Sequence, residues 1–496
     1  MIDIHLPALI ALNFLAFSVI IVLTGVLKKN WCQPLAVAGA GISSLLSVYG
    51  FVASLNELPL RYFFGAWEPP VGIEFVYDGL SAFVVMVINV VAFFVLIHSR
   101  LVAVREFRYK QMAYYSLTML LMLGFNGIVL TGDLFNLFVF LEIASLSMYA
   151  LIAIGEKPAP FAAFRYLIIG TVGGSLYLLG VGFLYTATGT LNIIDMTAML
   201  PQFATDASVV TALILMVAGI AIKTALFPMH GWLPDAYSYT CSTSSALIAP
   251  LGTKVAAYVL IRILMHLFGF DLADLVVPIS KILGILAAIG ILYGSIMAIA
   301  QNEMKRMLAY SSISQIGYII LGISLVNPWG FVGALLHILN HAVMKACLFM
   351  VAANLRMKEG HSDISKFDHT YRKKYPWTMF SFTMAAISMI GLPPLAGFFS
   401  KWYLALGTIE AGNWAFLAVI LISSLLNAVY FFRILEKVYM KDPEAEENVP
   451  DEHVTRDEVS PSMLAPTWIF AIGLLLIGLA NVAIVKLLMN MYPGGV

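Results

Sequence analysis

Charge is scarce in this chain. Lys, Arg, Asp and Glu make up 11% of its 496 residues and 61% are hydrophobic, where a soluble domain carries about 25% charged residues. That deficit excludes an ordinary water-soluble domain and makes the chain an integral membrane protein. Cysteine is rarer still. Cys32, Cys241 and Cys347 lie far apart and form no C-x-x-C pair, so neither a disulfide framework nor an iron–sulfur or other metal site is expected. The formal net charge is zero and no basic tract interleaves with aromatics, which argues against nucleic acid as a partner. No flavin or nucleotide motif stands in the sequence, and no cofactor is expected. The stretch "GTVGGS" at 170–175 sits within an apolar run with no strand before it. It reads as close helix packing through Gly170 and Gly174 and not as a phosphate loop.

What the chain has instead is long apolar runs of about 18 to 27 residues, each able to cross a hydrocarbon core as a helix. They predict an all-α integral membrane protein of about fourteen transmembrane helices, near 6–27, 34–55, 76–99, 112–131, 134–154, 161–187, 207–240, 242–268, 278–300, 306–326, 329–357, 376–409, 412–438 and 464–490. The start, "MIDIHLPALIALNF", has no basic flank and no small-residue cleavage site, so the first span is expected to be retained. Basic residues cluster in alternate loops: Lys28 and Lys29, Arg100 to Lys110, Lys157 and Arg165, Lys305 and Arg306, Arg356 to Lys374, and Lys437, Lys441 and Arg456. Arg61 and Lys281 are the main exceptions. The positive-inside rule then predicts a multi-pass protein of the cell membrane with both termini outside. The polar stretch "KDPEAEENVPDEHVTRDEVSP" at 441–461 reads as a solvated acidic loop, contact with a partner subunit being the alternative.

Two spans are too long. Residues 207–240 as one helix would reach roughly 50 Å at 1.5 Å per residue, and 376–409 is equally long. Breaks at Pro228, and at Pro393, Pro394 and Gly397, resolve both. Interrupted spans at corresponding places in two halves point to inverted repeats with ion sites at mid-membrane. The expected organisation is three N-terminal spans (1–111), a first five-helix repeat (112–270), a second (271–440), the acidic loop (441–463) and a last span (464–496).

Ionisable residues at membrane depth carry the functional reading, because such groups are expensive there and mark ion pathways. Glu142 lies near the middle of its span, beyond easy reach of an interface. Its structural alternative is a carboxylate neutralised by a proton or a partner. Lys223, five residues before Pro228, is its expected partner; the alternative is a packing lysine that satisfies carbonyls freed by the break. Burial favours a neutral amine and a nearby carboxylate a charged one, so movement of Glu142 would switch the proton affinity of Lys223. Lys254 is a second lysine with apolar residues on both sides. His337, His341 and Lys345 recur every four residues and share one helical face. Two histidines with a lysine favour a proton or water path over satisfied core residues, and no H-E-x-x-H pattern or third ligand supports a metal. Lys401 follows the second break, an interface-snorkelling lysine being its alternative. Asp78, Asp133, His230 and Asp235 lie nearer span ends, where capping or loop roles are as good a reading. Lys305 and Arg306 read as interface anchors, with access to the polar path as a second reading for Lys305. In order, Glu142, Lys223, Lys254, His337, His341, Lys345 and Lys401 form a lateral row suited to passing protons through water. No carboxylate-rich cage marks a sodium site, which leaves any sodium path to partners.

The motifs "DLFNLFVFLE", "KTALFPMHGWLPDAYSY", "NEMKRMLAYSSISQIGY", "HILNHAVMKACLF" and "GLPPLAGFFSKWY" resemble the antiporter-like subunits shared by respiratory complex I, membrane-bound hydrogenases and Mrp cation/proton antiporters. The resemblance covers nearly the whole chain and is greatest to the D-type subunits of Mrp systems. It implies fourteen helices, two inverted five-helix repeats and a proton pathway in each half. Matched by motif, Glu142 and Lys223 correspond to the family's charged pair, Lys254 to its connecting lysine, His337, His341 and Lys345 to the second-half relay, and Lys401 to the distal lysine. The stretch "YSYTCSTSSALIAP" after "WLPDA" departs from the family pattern. The resemblance implies other membrane subunits as partners and protons, with sodium, as the ions handled. A proton-pumping subunit of a redox-driven complex is the main alternative. An autonomous solute transporter and a non-pumping scaffold subunit are further ones.

Overall fold

The computed structural model describes residues 2–55, 59–107, 110–155, 157–440 and 455–493. Most of the expected acidic loop, 441–454, lies outside them. Two N-terminal helices, α1 (Ile2–Leu27) and α2 (Cys32–Ser54), precede a short antiparallel hairpin of β1 (Leu60–Phe63) and β2 (Glu74–Tyr77). A helix-period reading of the sequence does not foresee that hairpin. Then come α3 (Gly79–Phe107), α4 (Gln111–Leu130), α5 (Leu134–Ala153) and α6 (Ala159–Thr188), a short α7 (Ile193–Met199), and α8 (Ala207–Thr224) with α9 (Leu233–Tyr239). Helix α10 (Ser242–Ile261) runs on into a π-helical turn over Arg262–Leu267. The second half holds the short α11 (Phe270–Val276), α12 (Ile279–Ile299), α13 (Met304–Ser324), α14 (Pro328–Glu359), the short α15 (Thr370–Lys374), α16 (Pro376–Ile390), α17 (Ala396–Glu410) and α18 (Trp414–Tyr439). The last expected span divides at Ala480 into α19 (Pro461–Leu479) and α20 (Asn481–Met489).

Among the described residues thirteen helices are long and apolar enough to cross a membrane. Helices α16 and α17, of 15 residues each, divide the expected span 376–409 into two pieces. Polar caps start several helices where the sequence offers them. Asp133 accepts the Asn136 N–H at 2.6 Å to open α5, and Asn327 accepts that of Gly330 at 2.8 Å to open α14. Helix α4 packs on α5, α5 on α6 and α6 on α8, and α12 packs on α13, α13 on α14 and α14 on α16 and α17.

The bundle is sorted by polarity. The most hydrophobic stretches of α13 and α14 are 94% buried within the protein, against 28% for α18. Helices α10 and α14, which carry Lys254, His337, His341 and Lys345, thus occupy the centre, where the surrounding helices shield them from lipid. Small residues allow the close approaches this needs. A side chain at Gly219 would come within 2.5 Å of the Gly173 carbonyl, so α6 and α8 touch along their backbones. Gly170 and Gly174 lie where α6 packs on α5, and they make room there for the Tyr149 hydroxyl and the Glu142 carboxylate.

Both breaks fall where glycine and proline place them, with one shift. Helix α8 ends at Thr224, four residues before Pro228, and Ala225 takes a left-handed φ of 57°. Helix α16 ends at Ile390, with Gly391 at φ 93°, a conformation that suits glycine. Gly397 lies inside α17, where a Cβ would overlap the Ser388 carbonyl oxygen. Gly397→Ala should therefore lower stability by about 1–3 kcal/mol, read as a lower thermal midpoint of the detergent-solubilised protein. Gly182→Ala meets nothing within 4 Å and should leave the midpoint unchanged or raised.

Candidate ion pathway

Helix α5 presents Glu142, Ser145 and Tyr149 along one face, in line with a 3.6-residue period. Lys223, in the last turn of α8, places its Nζ 3.6 Å from Glu142 Oε1 and donates to Ser145 Oγ at 2.7 Å. The expected pair is thus formed, with a hydroxyl as the amine's nearer partner. The two ends differ in exposure: the Lys223 side chain is 4% exposed and that of Glu142 27%. Glu142 Oε1 itself accepts no hydrogen bond from the described residues. The carbonyls that the break releases are held without Lys223. Ala221 accepts from the Leu226 N–H and Thr224 Oγ1, and Ile222 from the Ala225 N–H and Trp232 Nε1.

Lys254 is buried in α10 and donates to the Ala249 carbonyl at 2.7 Å and to Thr253 Oγ1 at 3.3 Å. It lies within electrostatic reach of His337, His341 and Lys345 on α14. The expected face on α14 is present, with the His337 and His341 rings 5.8 Å apart and all three side chains fully buried. Lys345 donates to the Leu308 carbonyl at 2.7 Å and to Ser311 Oγ. His337 Nδ1 is 2.9 Å from Ser400 Oγ. His337 Nε2 and both nitrogens of His341 have no hydrogen-bond partner among the described residues, although buried polar groups usually find one.

Lys401 plays the structural part that was the alternative for Lys223. It is buried, not at an interface, and donates to the Met389 and Ile390 carbonyls at 3.0 and 2.9 Å, the last two of α16, and to Ser424 Oγ at 3.2 Å. Its Nζ lies 5.2 Å from the centre of the Tyr318 ring, which in turn is 5.5 Å from that of His337.

The row is not a continuous chain of hydrogen bonds: among the described residues none joins Lys254 to the α14 face or His337 to Lys401. No hydrogen bond or ion pair among the described residues joins Lys223 to Lys254. An aromatic series leads instead from Tyr149 to Tyr166 (4.8 Å between ring centres), Trp232 (3.7 Å, stacked) and Tyr237 (6.1 Å), and Tyr237 stands beside Thr253.

Each accessory residue has contacts within the fold. Asp133 caps α5. Asp235 pairs with Arg165 at 2.8 Å and with Arg306 at 3.3 Å, which ties α6, α9 and α13 together. Lys305 donates to the Thr240 carbonyl at 2.6 Å. His230 stacks on Phe227 and lies against Tyr293 within the first break. Asp78 caps α3 through the Ser81 N–H and pairs with Arg262 at 2.5 Å.

Arg262 was missed from the sequence, yet the signal was there. Lys254, Tyr258, Arg262 and His266 recur every four residues, the same test that exposed the α14 face. Arg262 also donates to Tyr258 Oη at 2.7 Å, and Tyr258 to the Val129 carbonyl at 2.7 Å. Burial pushes the Asp78 carboxyl up, but the charge and hydrogen bond of Arg262 and the Ser81 N–H outweigh it and hold the group well below the usual carboxylate range.

The fold and row define a class: a multi-pass membrane protein with a lateral series of buried titratable side chains and two broken helices. Residues 131–427 match the family described as "NADH:quinone oxidoreductase/Mrp antiporter, TM", and the chain belongs to that family. It is 45% identical to NADH-quinone oxidoreductase subunit N of Desulforudis audaxviator over 97% of both chains. It is 29% identical to the D-type Na(+)/H(+) antiporter subunit of Bacillus subtilis over 96% of this chain and 93% of that one. Among solved structures, a chain of the membrane-bound sulfane sulfur reductase, an archaeal respiratory membrane complex, superposes with a TM-score of 0.88 at 29% identity, over 98% of this chain and 97% of that one. A chain of the Mrp complex from Dietzia sp. shares the fold, with a TM-score of 0.88 at 24% identity over 99% and 98%.

Arg262→Met should strand the Asp78 carboxylate and cost about 2 kcal/mol, below the roughly 3–5 kcal/mol of a fully buried pair because both side chains keep some exposure. The double change with Asp78→Asn should recover at least half of that in thermal unfolding; equal losses in single and double variants would sink the pairing. Because the folded Asp78 value is depressed, this contribution is complete above the unfolded value of about 3.9 and is lost as pH falls through the folded one.

Proposed function

We propose that this chain is a proton-translocating, antiporter-like subunit of a larger membrane complex, resident in the cell membrane with both termini outside. The observation that carries the reading is the Glu142–Lys223 pair, 3.6 Å apart, beside a broken helix and in line with Lys254, His337, His341, Lys345 and Lys401. Residues 112–270 and 271–440 act as two repeats, each with a broken helix. Glu142 and Lys223 work as a charge switch. When Glu142 stands close, Coulomb attraction favours ammonium on Lys223; when it withdraws, desolvation favours the neutral amine, and a proton moves on. Lys254 and the α14 face pass protons toward Lys401 through intervening water.

Within an Mrp-type assembly the chain contributes to sodium/proton exchange. A redox-driven complex is the second reading, and a specific observation favours it. A relative that matches over 97% of both chains at 45% identity carries the name of a quinone oxidoreductase subunit, whereas the antiporter relative from Bacillus subtilis matches at 29%. The proton row serves either drive, because partner subunits supply the energy. An autonomous solute transporter fits less well, since one central site needs fewer charges than this row holds.

The test is pH-gradient formation in vesicles that carry the assembled complex. Glu142→Ala and Lys223→Ala should each reduce it at least about tenfold, equivalent to roughly 1.4 kcal/mol of lost coupling; unimpaired transport in assembled variants removes the assignment. Lys254→Ala should likewise abolish most transport. Normal transport in that variant would make the chain a scaffold subunit.

A further inference from the structure

The ammonium of Lys401 is held in a set of oxygens that suits a metal cation equally well. Two are the Met389 and Ile390 carbonyls, at 3.0 and 2.9 Å, and a third is Ser424 Oγ at 3.2 Å. The fourth comes from Asn427. Its amide is satisfied with Oδ1 accepting from Lys401 Nζ at 3.1 Å while its nitrogen donates to Tyr430 Oη at 3.0 Å and the Ser423 carbonyl at 3.2 Å. Four oxygens thus surround a group with three N–H donors.

All four are neutral, and two belong to the C-terminal end of a half-helix, where the peptide dipoles concentrate negative potential. Unwound carbonyls and half-helix C-termini are recurrent sites for sodium and protons within membranes. The titratable groups nearby are His337 from α14, Tyr318 from α13 and Tyr430 from α18. No carboxylate among the described residues acts on Lys401. The cage is therefore matched to one unit of positive charge and to a monovalent occupant.

We propose that this cage is a sodium site for which the Lys401 ammonium and a sodium ion compete. The inference rests on the ion-translocating reading above and gives it a location within this chain, where the sequence offered no carboxylate cage. When Lys401 hands on to water the proton it received from the row, it becomes a neutral amine, and an entering sodium ion replaces the departed unit of charge. The net charge of the cage is the same before and after. Oxygens lie about 2.3–2.6 Å from a calcium-sized cation, and sodium is of that size, so the four must close in by roughly half an ångström. Ser424 and Asn427 side chains can do so. Gly391 makes room for the lysine in the cage, because a side chain there would press on Lys401 Cδ at 3.0 Å and Nζ at 3.4 Å.

The experiment is equilibrium binding of radioactive sodium to the purified, assembled complex at pH 6, 7.5 and 9. Wild-type affinity should rise at least about tenfold across the range as the ammonium gives way. Lys401→Met should bind equally at all three pH values, with at least the wild-type affinity at pH 9. Ser424→Ala and Asn427→Leu, which leave the lysine in place, should each weaken binding at pH 9 about tenfold. The same pH dependence in wild type and an assembled Lys401→Met complex overturns the proposal, as does unchanged affinity in both the Ser424 and Asn427 variants. Proton translocation by the same preparations separates the two levels. If it persists while sodium binding ignores these residues, the cage fails alone; if Glu142→Ala leaves it intact, the reading beneath fails.

Discussion

A bilayer core offers no hydrogen-bond partner to a backbone carbonyl, so a helix broken inside it must find partners in the protein. Two spans of this chain are broken beside a buried lysine, and each solves the problem differently. At the end of α8 the released carbonyls of Ala221 and Ile222 are taken by Leu226, Ala225, Thr224 and the Trp232 indole. Lys223 is thereby left to Ser145 and Glu142. At the end of α16 the lysine itself takes the carbonyls of Met389 and Ile390. One backbone constraint thus yields a lysine whose partner is a carboxylate and another whose partners are neutral oxygens.

The same economy governs the interior. Each amine of the row has a neutral acceptor: Ser145 for Lys223, the Ala249 carbonyl for Lys254, the Leu308 carbonyl for Lys345 and the α16 carbonyls for Lys401. Carbonyls and hydroxyls accept from ammonium, and hydroxyls also donate to a neutral amine, so these contacts survive a change of charge better than a fixed ion pair would. Placement on the buried helices α10 and α14 keeps the row from lipid, where each charge is expensive.

Span count, the two breaks and the charged row were legible because each departs from a long, regular background. Roughly seventeen or more apolar residues announce a span, and a lysine within one is conspicuous. Small hydroxyls and amides are not. Ser145, Ser424 and Asn427 cost little in a helix and carry no depth signal, yet they set the partners of Lys223 and Lys401. Arg262 was hidden by its position near a span end, although its spacing from Lys254 and Tyr258 was readable. The hairpin of β1 and β2 was missed because four-residue strands lie below the reach of a periodicity argument. Pro228 misplaced the first break by four residues, since Ala225 adopts the left-handed turn before the proline is reached.

The two halves are therefore not mirror images where it matters for ion handling. Lys223 precedes its break and Lys401 follows its own, so one amine approaches from the first half-helix and the other reaches back from the second. Glu142 keeps about a quarter of its side chain exposed, whereas Lys401 is enclosed. Whatever covers α5 at Glu142 therefore shapes the surroundings of that end of the row. Lys223 stands 3.6 Å from the carboxylate, where Coulomb energy at an effective dielectric constant near 20 is about 5 kcal/mol. That attraction acts at the more exposed end of the row, opposite the enclosed cage.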